Sequence, residues 1–460
     1  MNVLSKQHQA RPKIAVIGAG WAGLSAAVHL GNKAEVHVFE ASKQAGGRAR
    51  TLAAGRGDFS FLDNGQHILI GAYHGVRTLM QQIGVPENAA FVRCPLQWHM
   101  ADGMQFKAAS LPAPLHLLAG ILCAKKLGFA DKLRLLDSMR ALQRRHGLNP
   151  PDISVGEWLG KRHTPRRLVA EFWQPLVWGA LNTPLESASL NILANVLQDG
   201  VWAQKSDSDY LLPKLDLGRI MAEPALGRLK KNGAVVHLES RVGRLQPLPS
   251  GQIEVNGAAF DGAILAVAPY HAAALLPPDT PANIQTAYAD MQYHAITTVY
   301  LRYAAPLNLP AAMTGLANGT AQWLIGRAAL GGSAHEVAAV ISVSDIVGGF
   351  APAEWVARVN ADVQPLCPDA GATVAARVIT ASRASSMVSR RLRPALMWRN
   401  SATAADSENS SRPIDSTSTM YATVWLPISP LGSITLCTPS YNEKVAPMVN
   451  SDTATMNAQK

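Results

Sequence analysis

The sequence predicts an α/β fold in which a parallel sheet is interrupted by a long, largely helical insertion. Three observations carry this reading. From Lys13 a short apolar run, a glycine-rich turn, a helix and a second apolar run follow one another. Strand-length apolar runs return after residue 230. Between the two sets, apolar residues recur at intervals of three and four, the period of a helix.

Taken in order, Ile14-Ala-Val-Ile-Gly18 is the first strand, residues 22–30 form the helix and Val36-His-Val-Phe39 is the second strand, together a βαβ unit. Residues 75–199 read as mostly helical, typified by Asp131-Lys-Leu-Arg-Leu-Leu-Asp-Ser-Met-Arg-Ala-Leu142. Thr183-Pro-Leu-Glu186 matches a capping box with proline at the first helical position, which predicts a helix start there and a stop at Gly200. Ala234-Val-Val-His-Leu238, Ile253-Glu-Val255 and Ala263-Ile-Leu-Ala-Val267 predict strands that rejoin the first sheet. From Arg383 onward, 21 of 78 residues are Ser or Thr and Gly432 is the single glycine, so this end reads as disordered.

At 460 residues the chain is long enough for two or more units of the usual ~150 residues. Apolar residues make up 48% and charged residues 16%, which excludes disorder of the whole chain. The formal charge of +10 suits an anionic partner: a lipid surface, a phosphate-bearing cofactor or nucleic acid. The basic residues are scattered and match no nucleic-acid module, so nucleic acid is not expected. Cys94, Cys123, Cys367 and Cys437 stand far apart without a CxxC or a histidine in ligand spacing, so neither a disulfide framework nor a metal site is expected. With no signal-peptide core at the N-terminus and no apolar run of ~20 residues, a cytoplasmic location is expected. No Ser/His/Asp arrangement or HExxH supports a hydrolase.

Gly18-Ala19-Gly20-Trp-Ala22-Gly23 fits GxGxxG with a strand before it, a helix after it and Glu40 at the end of the second strand, 22 positions after Gly18. The first glycine makes the tight turn, the second admits a pyrophosphate and the third lets helix and strand pack closely. The helix N-terminus offers free N–H groups to the diphosphate, and the Glu40 carboxylate suits the ribose hydroxyls. Gly46-Gly47-Arg48 adds two flexible glycines and a cation beside the same diphosphate.

The stretch Glu40-Ala-Ser-Lys-Gln-Ala-Gly46-Gly47-Arg48 resembles the E-x(5)-GGR signature of the FAD-dependent amine oxidase and phytoene desaturase superfamily. That resemblance implies FAD, a Rossmann-like FAD-binding domain and an inserted α+β, largely helical substrate domain. It also places Val242 at the adenine through its backbone. Asp63-Asn64-Gly65-Gln66-His67 corresponds to the segment that passes the flavin ring, which makes Gly65 and Gln66 cofactor contacts. With Trp173-Gln-Pro-Leu-Val-Trp178-Gly-Ala-Leu-Asn182 and Val196-Leu-Gln-Asp199-Gly200, this segment is similar to a narrower group, the hydroxysqualene dehydroxylases. The resemblance implies residues 11–75 and 213–275 as the two FAD-binding parts, 76–212 as a helical, membrane-facing insertion, 276–382 as further substrate domain and 383–460 as an atypical tail. It also implies a closing (A/G)-G-D flavin segment, and no such segment follows Thr380.

The activity implied is reductive removal of an allylic hydroxyl from an isoprenoid, hydroxysqualene. It needs a proton for the leaving hydroxyl and a hydride, which reduced flavin delivers. His67 and Asp199 are the candidate acids, with Asp207 and Asp209 behind them, and Trp173, Trp178 and Trp202 are candidates to stabilise cationic character. His294 reads as a sheet residue. Residues 111–126, an apolar stretch ending in Lys125 and Lys126, read either as a peripheral contact with the inner face of a membrane or as a buried helix with snorkelling lysines. The rival readings are a carotenoid-type desaturase, an amine oxidase, or an inactive flavoprotein fragment unable to hold FAD.

Overall fold

The computed structural model describes residues 11–52, 59–146, 148, 150–386 and 423–425. In chain order its strands are β1 (Lys13–Ile17), β2 (Glu35–Phe39), β3 (Leu69–Ile70), β4 (Phe91–Cys94), β5 (Gln97–His99), β6 (Gln105–Lys107), β7 (Tyr210–Pro213), β8 (Val235–His237), β9 (Gln246–Pro247), β10 (Ile253–Val255), β11 (Ala258–Phe260), β12 (Gly262–Leu265), β13 (Tyr293–Tyr303), β14 (Met313–Gly315), β15 (Trp323–Gly326), β16 (Glu336–Ser342), β17 (Thr373–Ser386) and β18 (Thr423–Trp425). The first five helices are α1 (Trp21–Leu30), α2 (His74–Gln82), α3 (Glu87–Ala90), α4 (Leu115–Leu122) and α5 (Phe129–Arg145).

One sheet has the order β18-β12-β1-β2-β8, with β12, β1, β2 and β8 parallel. All of β1 after Lys13 is buried, as expected for a parallel strand covered on both faces. On one face Val16, Leu24, Val76, Leu79 and Leu229 join β1, α1, α2 and the helix Glu223–Lys231 in one core. On the other, Ile17 and Phe39 pack against Ile253, Val255 and Phe260. Each such side chain contributes ~1.5–3 kcal/mol on full burial.

The run at Ile253 is a strand, but it does not rejoin the parallel sheet. It is the centre of a separate antiparallel sheet, β11-β10-β9, that lies against the first. The cause is local: Asn256 and Gly257 adopt φ of 49° and 82°, the left-handed pair of a tight hairpin, and they turn β10 straight back into β11.

A second large sheet, β14-β15-β16-β13-β17, is antiparallel and carries the helix Pro352–Val363 on one face. Its longest strand, β17, runs through the proposed start of the tail, pairing Ser386 with Tyr293, and β18 extends the parallel sheet by pairing Trp425 with Ala263. Residues 383–386 and 423–425 thus take part in the two sheets through ladder bonds. The remainder of 383–460 lies outside the described residues.

The helical region packs α4 and α5 with the helices Val155–Lys161, Gln174–Leu181 and Leu190–Leu197 and with the β5–β6 hairpin. The capping box at Thr183 starts no helix. Thr183 Oγ1 donates to the Leu181 carbonyl at 2.8 Å and so closes the preceding helix, while Ser189 caps the next by accepting from Ile192 N at 3.2 Å. Gly200 does not stop that helix, which continues as a π-helical turn, Gln198–Trp202. A Cβ on Gly200 would stand 3.2 Å from Ile70 Cδ1, so the glycine serves close packing. Among the described residues no helix is long and apolar enough to cross a membrane.

Candidate functional site

The turn after β1 is shaped by what its glycines approach. Gly18 has φ +104°, and a Cβ there would lie 2.7 Å from the Ala266 carbonyl oxygen. A Cβ on Gly23 would lie 1.8 Å from the Gly18 carbonyl oxygen, so helix and turn close only over hydrogen. Gly20 precedes α1 with no side-chain cap and no acid in the first turn, which leaves the positive end of the helix to an anion.

Glu40 is held by backbone. One oxygen accepts from Ala19 N at 2.8 Å and the other from Ser42 N and Oγ at 2.9 and 2.8 Å. Gly46 N donates to the Ala19 carbonyl at 2.8 Å, and a Cβ on Gly47 would stand 3.0 Å from Gly20 Cα. The two glycine turns thus form one cradle free of side chains, with Ala22 in the first turn of α1 above it. The loop bearing Val242 is tied to the same place by Ser240 N donating to the Glu40 carbonyl at 2.8 Å, while the Val242 side chain is buried with Ile253 and Val255. The Arg48 guanidinium reaches across to the Ala384 carbonyl at the end of β17.

The second part of the site is the loop from residue 59 to His67, which leans on the antiparallel sheet. Gly65 has φ +106°, and Gln66 N donates to Thr298 Oγ1 of β13 at 3.4 Å. The His67 Nδ1 lies 2.9 Å from the Gly65 carbonyl oxygen, which only accepts, so Nδ1 carries a proton and Nε2 is left for other chemistry. Burial holds the His67 pKa below the usual imidazole value, and the Arg48 charge lowers it further.

Arg327, which sequence reasoning missed, fixes this loop from behind. It is fully buried, donates to the Phe61 carbonyl at 2.7 Å, to Gln66 Oε1 at 3.3 Å and to Glu336 at 3.1 Å, and lies over the rings of Phe61 and Tyr300. Gln66 Nε2 is then directed to the His67 carbonyl at 3.2 Å. Glu336, equally buried, also accepts from Ser60 N and from Arg302. Nothing in the sequence links Gln66 to a residue 261 positions away.

Asp63, only 2% exposed, opens the same loop. Its Oδ1 lies 2.9 Å from Thr51 Oγ1, which is also 2.7 Å from Asp216 Oδ1 and accepts from Gly218 N. One hydroxyl proton cannot serve two carboxylates. Burial raises the Asp63 pKa to about 6 despite the hydrogen bonds from Thr51 and Leu217 N, while hydrogen bonds and the Arg219 charge hold Asp216 low.

The other candidates are dispersed. Asp199 sits on the π-helical turn whose Gly200 meets Ile70, three residues beyond His67. Asp207 pairs with His74 at 3.1 Å and Asp209 with Arg93 at 3.1 Å, and their carbonyls accept from Ala72 N and Gly71 N, so both acids hold that loop. Trp173 and Trp202 are core side chains, whereas Trp178 lines a cavity of about 220 Å³ with Gln174, Thr320 and Gln322. His294 lies on β13 and pairs with Asp345 at 2.8 Å.

A glycine cradle at a helix N-terminus, a fixed carboxylate at the second strand and a further loop against a separate sheet define a dinucleotide-binding oxidoreductase of two parts. Residues 21–371 match the family of flavin-containing amine oxidoreductases, and the chain belongs to that family. It is an FAD-dependent oxidoreductase. It is 29% identical to hydroxysqualene dehydroxylase from Rhodopseudomonas palustris over 67% of this chain and 72% of that protein. It is 24% identical to zeta-carotene desaturase from Solanum lycopersicum over 45% of this chain and 37% of that protein. Cyclohexylamine oxidase from Brevibacterium oxydans has the same fold, with a TM-score of 0.63 at 15% identity over 84% of this chain and 90% of that one. The cradle suits FAD: Gly20 and Gly47 face one another with no side chain between them, and Gly18 and Gly23 let the turn close tightly at the free helix N-terminus that would meet the diphosphate.

Proposed function

We propose that this protein reductively removes the allylic hydroxyl of hydroxysqualene to give squalene. One observation carries the reading: the Gly65-Gln66-His67 loop, one of the segments that resemble hydroxysqualene dehydroxylases, is held against β13 with one imidazole nitrogen committed to Gly65. Residues 11–75 and 213–275 hold the FAD, and 76–212 with 276–382 form the substrate side. Reduced FAD supplies the hydride. His67, as imidazolium, keeps Nδ1–H on Gly65 and gives the Nε2 proton to the hydroxyl, with Asp199 as the second candidate acid. The C–O bond would break as water leaves and a C–H bond would form, with an external two-electron donor as the source of the electrons. The substrate is an isoprenoid that partitions into lipid, and residues 111–126 give the protein a peripheral contact with it.

The test has two stages. After FAD addition and desalting, a retained visible flavin band establishes loading. The loaded, reduced protein is then given hydroxysqualene, a carotenoid-type polyene and a primary amine without oxygen, and, reoxidised, the latter two in air. Squalene formation is the expected result, and turnover of the polyene or the amine instead refutes the reading. Because the proton donor is a histidine with a lowered pKa, kcat/KM should fall as pH rises from 5 to 8. That fall should vanish in His67→Gln.

A further inference from the structure

Apart from the buried His116, helix α4 is apolar on both sides. Its inner face, with Leu117, Gly120 and Ile121, is buried, and a Cβ on Gly120 would meet the Lys107 carbonyl at 2.7 Å. Its outer face carries Leu115, Leu118 and Leu122, and the turn before it carries Leu111, each 40–47% exposed. α5 continues the pattern: Leu135, Met139 and Leu142 face the core while Phe129 is 71% and Leu133 48% exposed. Lys132 Nζ donates to the Leu122 carbonyl at 2.8 Å, which joins the two exposed stripes into one surface.

A surface helix ordinarily sets a polar face against water, and a contiguous apolar patch marks an interaction site. Six of the twelve exposed large apolar side chains among the described residues stand in this one segment. The charge around it is predominantly positive. Residues 103–130 contain no Asp or Glu, whereas Lys107, Lys125 and Lys126 are present and exposed. The first acid, Asp131, is engaged by Arg134 at 3.1 Å.

We propose that this face docks on an anionic lipid bilayer, with Leu111, Leu115, Leu118, Leu122, Phe129 and Leu133 entering the headgroup layer and Lys125, Lys126 and Lys132 meeting lipid phosphates. The inference extends the membrane contact beyond residue 126 to the first two turns of α5. It deepens the isoprenoid reading, yet its test uses no substrate and stands or falls separately. Eight residues of α4 span only ~12 Å, so the helix lies in the interface and does not cross. A second copy is a poor occupant, because a two-fold contact would bring the same lysines together, and Asp131, the acid within the surface, is already engaged by Arg134.

The experiment is sedimentation with vesicles of phosphatidylcholine alone or with phosphatidylglycerol, using the full chain. Wild type should bind the anionic vesicles at least about tenfold more tightly, with the advantage shrinking as salt rises. Leu118→Ser/Leu122→Ser/Phe129→Ser should weaken binding to both vesicle types about 100-fold while the protein stays folded with at most a modest drop in melting temperature, since these side chains are 40–71% exposed. Lys125→Glu/Lys126→Glu should remove only the preference for phosphatidylglycerol. Failure of wild type to bind, equal binding by the triple-serine variant, or a concentration-dependent dimer dissolved by the same substitutions would each overturn the proposal.

Discussion

Replacing Asp63 by Asn isolates the buried carboxylate pair. In the folded protein burial, with a smaller contribution from the Asp216 charge, raises the Asp63 pKa from 3.8 to about 6 against the hydrogen bonds from Thr51 and Leu217 N, and the one Thr51 hydroxyl proton lies between the two carboxylates. A raised pKa means that Asp63 contributes its stability in full below pH 3.8, where folded and unfolded chains are both protonated. That contribution is lost as pH rises through 6. Two pKa units and a fraction correspond to about 3 kcal/mol in total, of which about half falls between pH 5 and pH 8. Asn has no proton to lose, so chemical denaturation of Asp63→Asn should show a decline in stability between pH 5 and pH 8 smaller than that of wild type by about 1.5 kcal/mol. The absolute stability of the variant at pH 5 is not at issue, because only the pH-dependent difference reports the proton. Parallel pH profiles for the two proteins would refute the raised pKa of the buried Asp63 carboxyl.

Gly23→Ala should abolish retention of FAD through desalting and lower the melting temperature, because its Cβ must displace the Gly18 carbonyl from 1.8 Å; a variant that keeps a normal flavin band would contradict the packing. Arg327→Met should cost about 3–5 kcal/mol by leaving Glu336 buried with less compensation. Adding Glu336→Gln should recover part of that loss in a double-mutant cycle, and strict additivity would show that the pair is not coupled. The same Arg327→Met protein, if it folds, should change the flavin absorption envelope through the released Gln66 loop, a signature that a loss of packing elsewhere would not produce.

Much of the cofactor cradle is legible in the chain because its parts are close in sequence and each glycine has a local reason. Gly18, Gly20 and Gly23 serve one turn, Glu40 ends the strand after it, and Gly46 follows within one loop. The βαβ unit and α5 follow from apolar period alone. The capping box at Thr183 misleads for an equally local reason: a hydroxyl that can start a helix can also close one, and the two uses look alike until the Leu181 carbonyl is placed. At Gly200 the sequence offers a helix breaker where the fold needs a small residue against Ile70.

What the sequence alone determined is therefore the glycine cradle and the family to which it belongs, since backbone conformation and helix-end charge are set by residues within a few dozen positions of one another. The tertiary structure decided the rest. Thr51 meets Asp216 across 165 positions, Gln66 meets Arg327 across 261, and the outer leucines of α4 are separated from the inner ones only by which face the core took. Periodicity fixes the angle between side chains on a helix but not which of them will find a partner. That depends on surfaces contributed by distant parts of the chain.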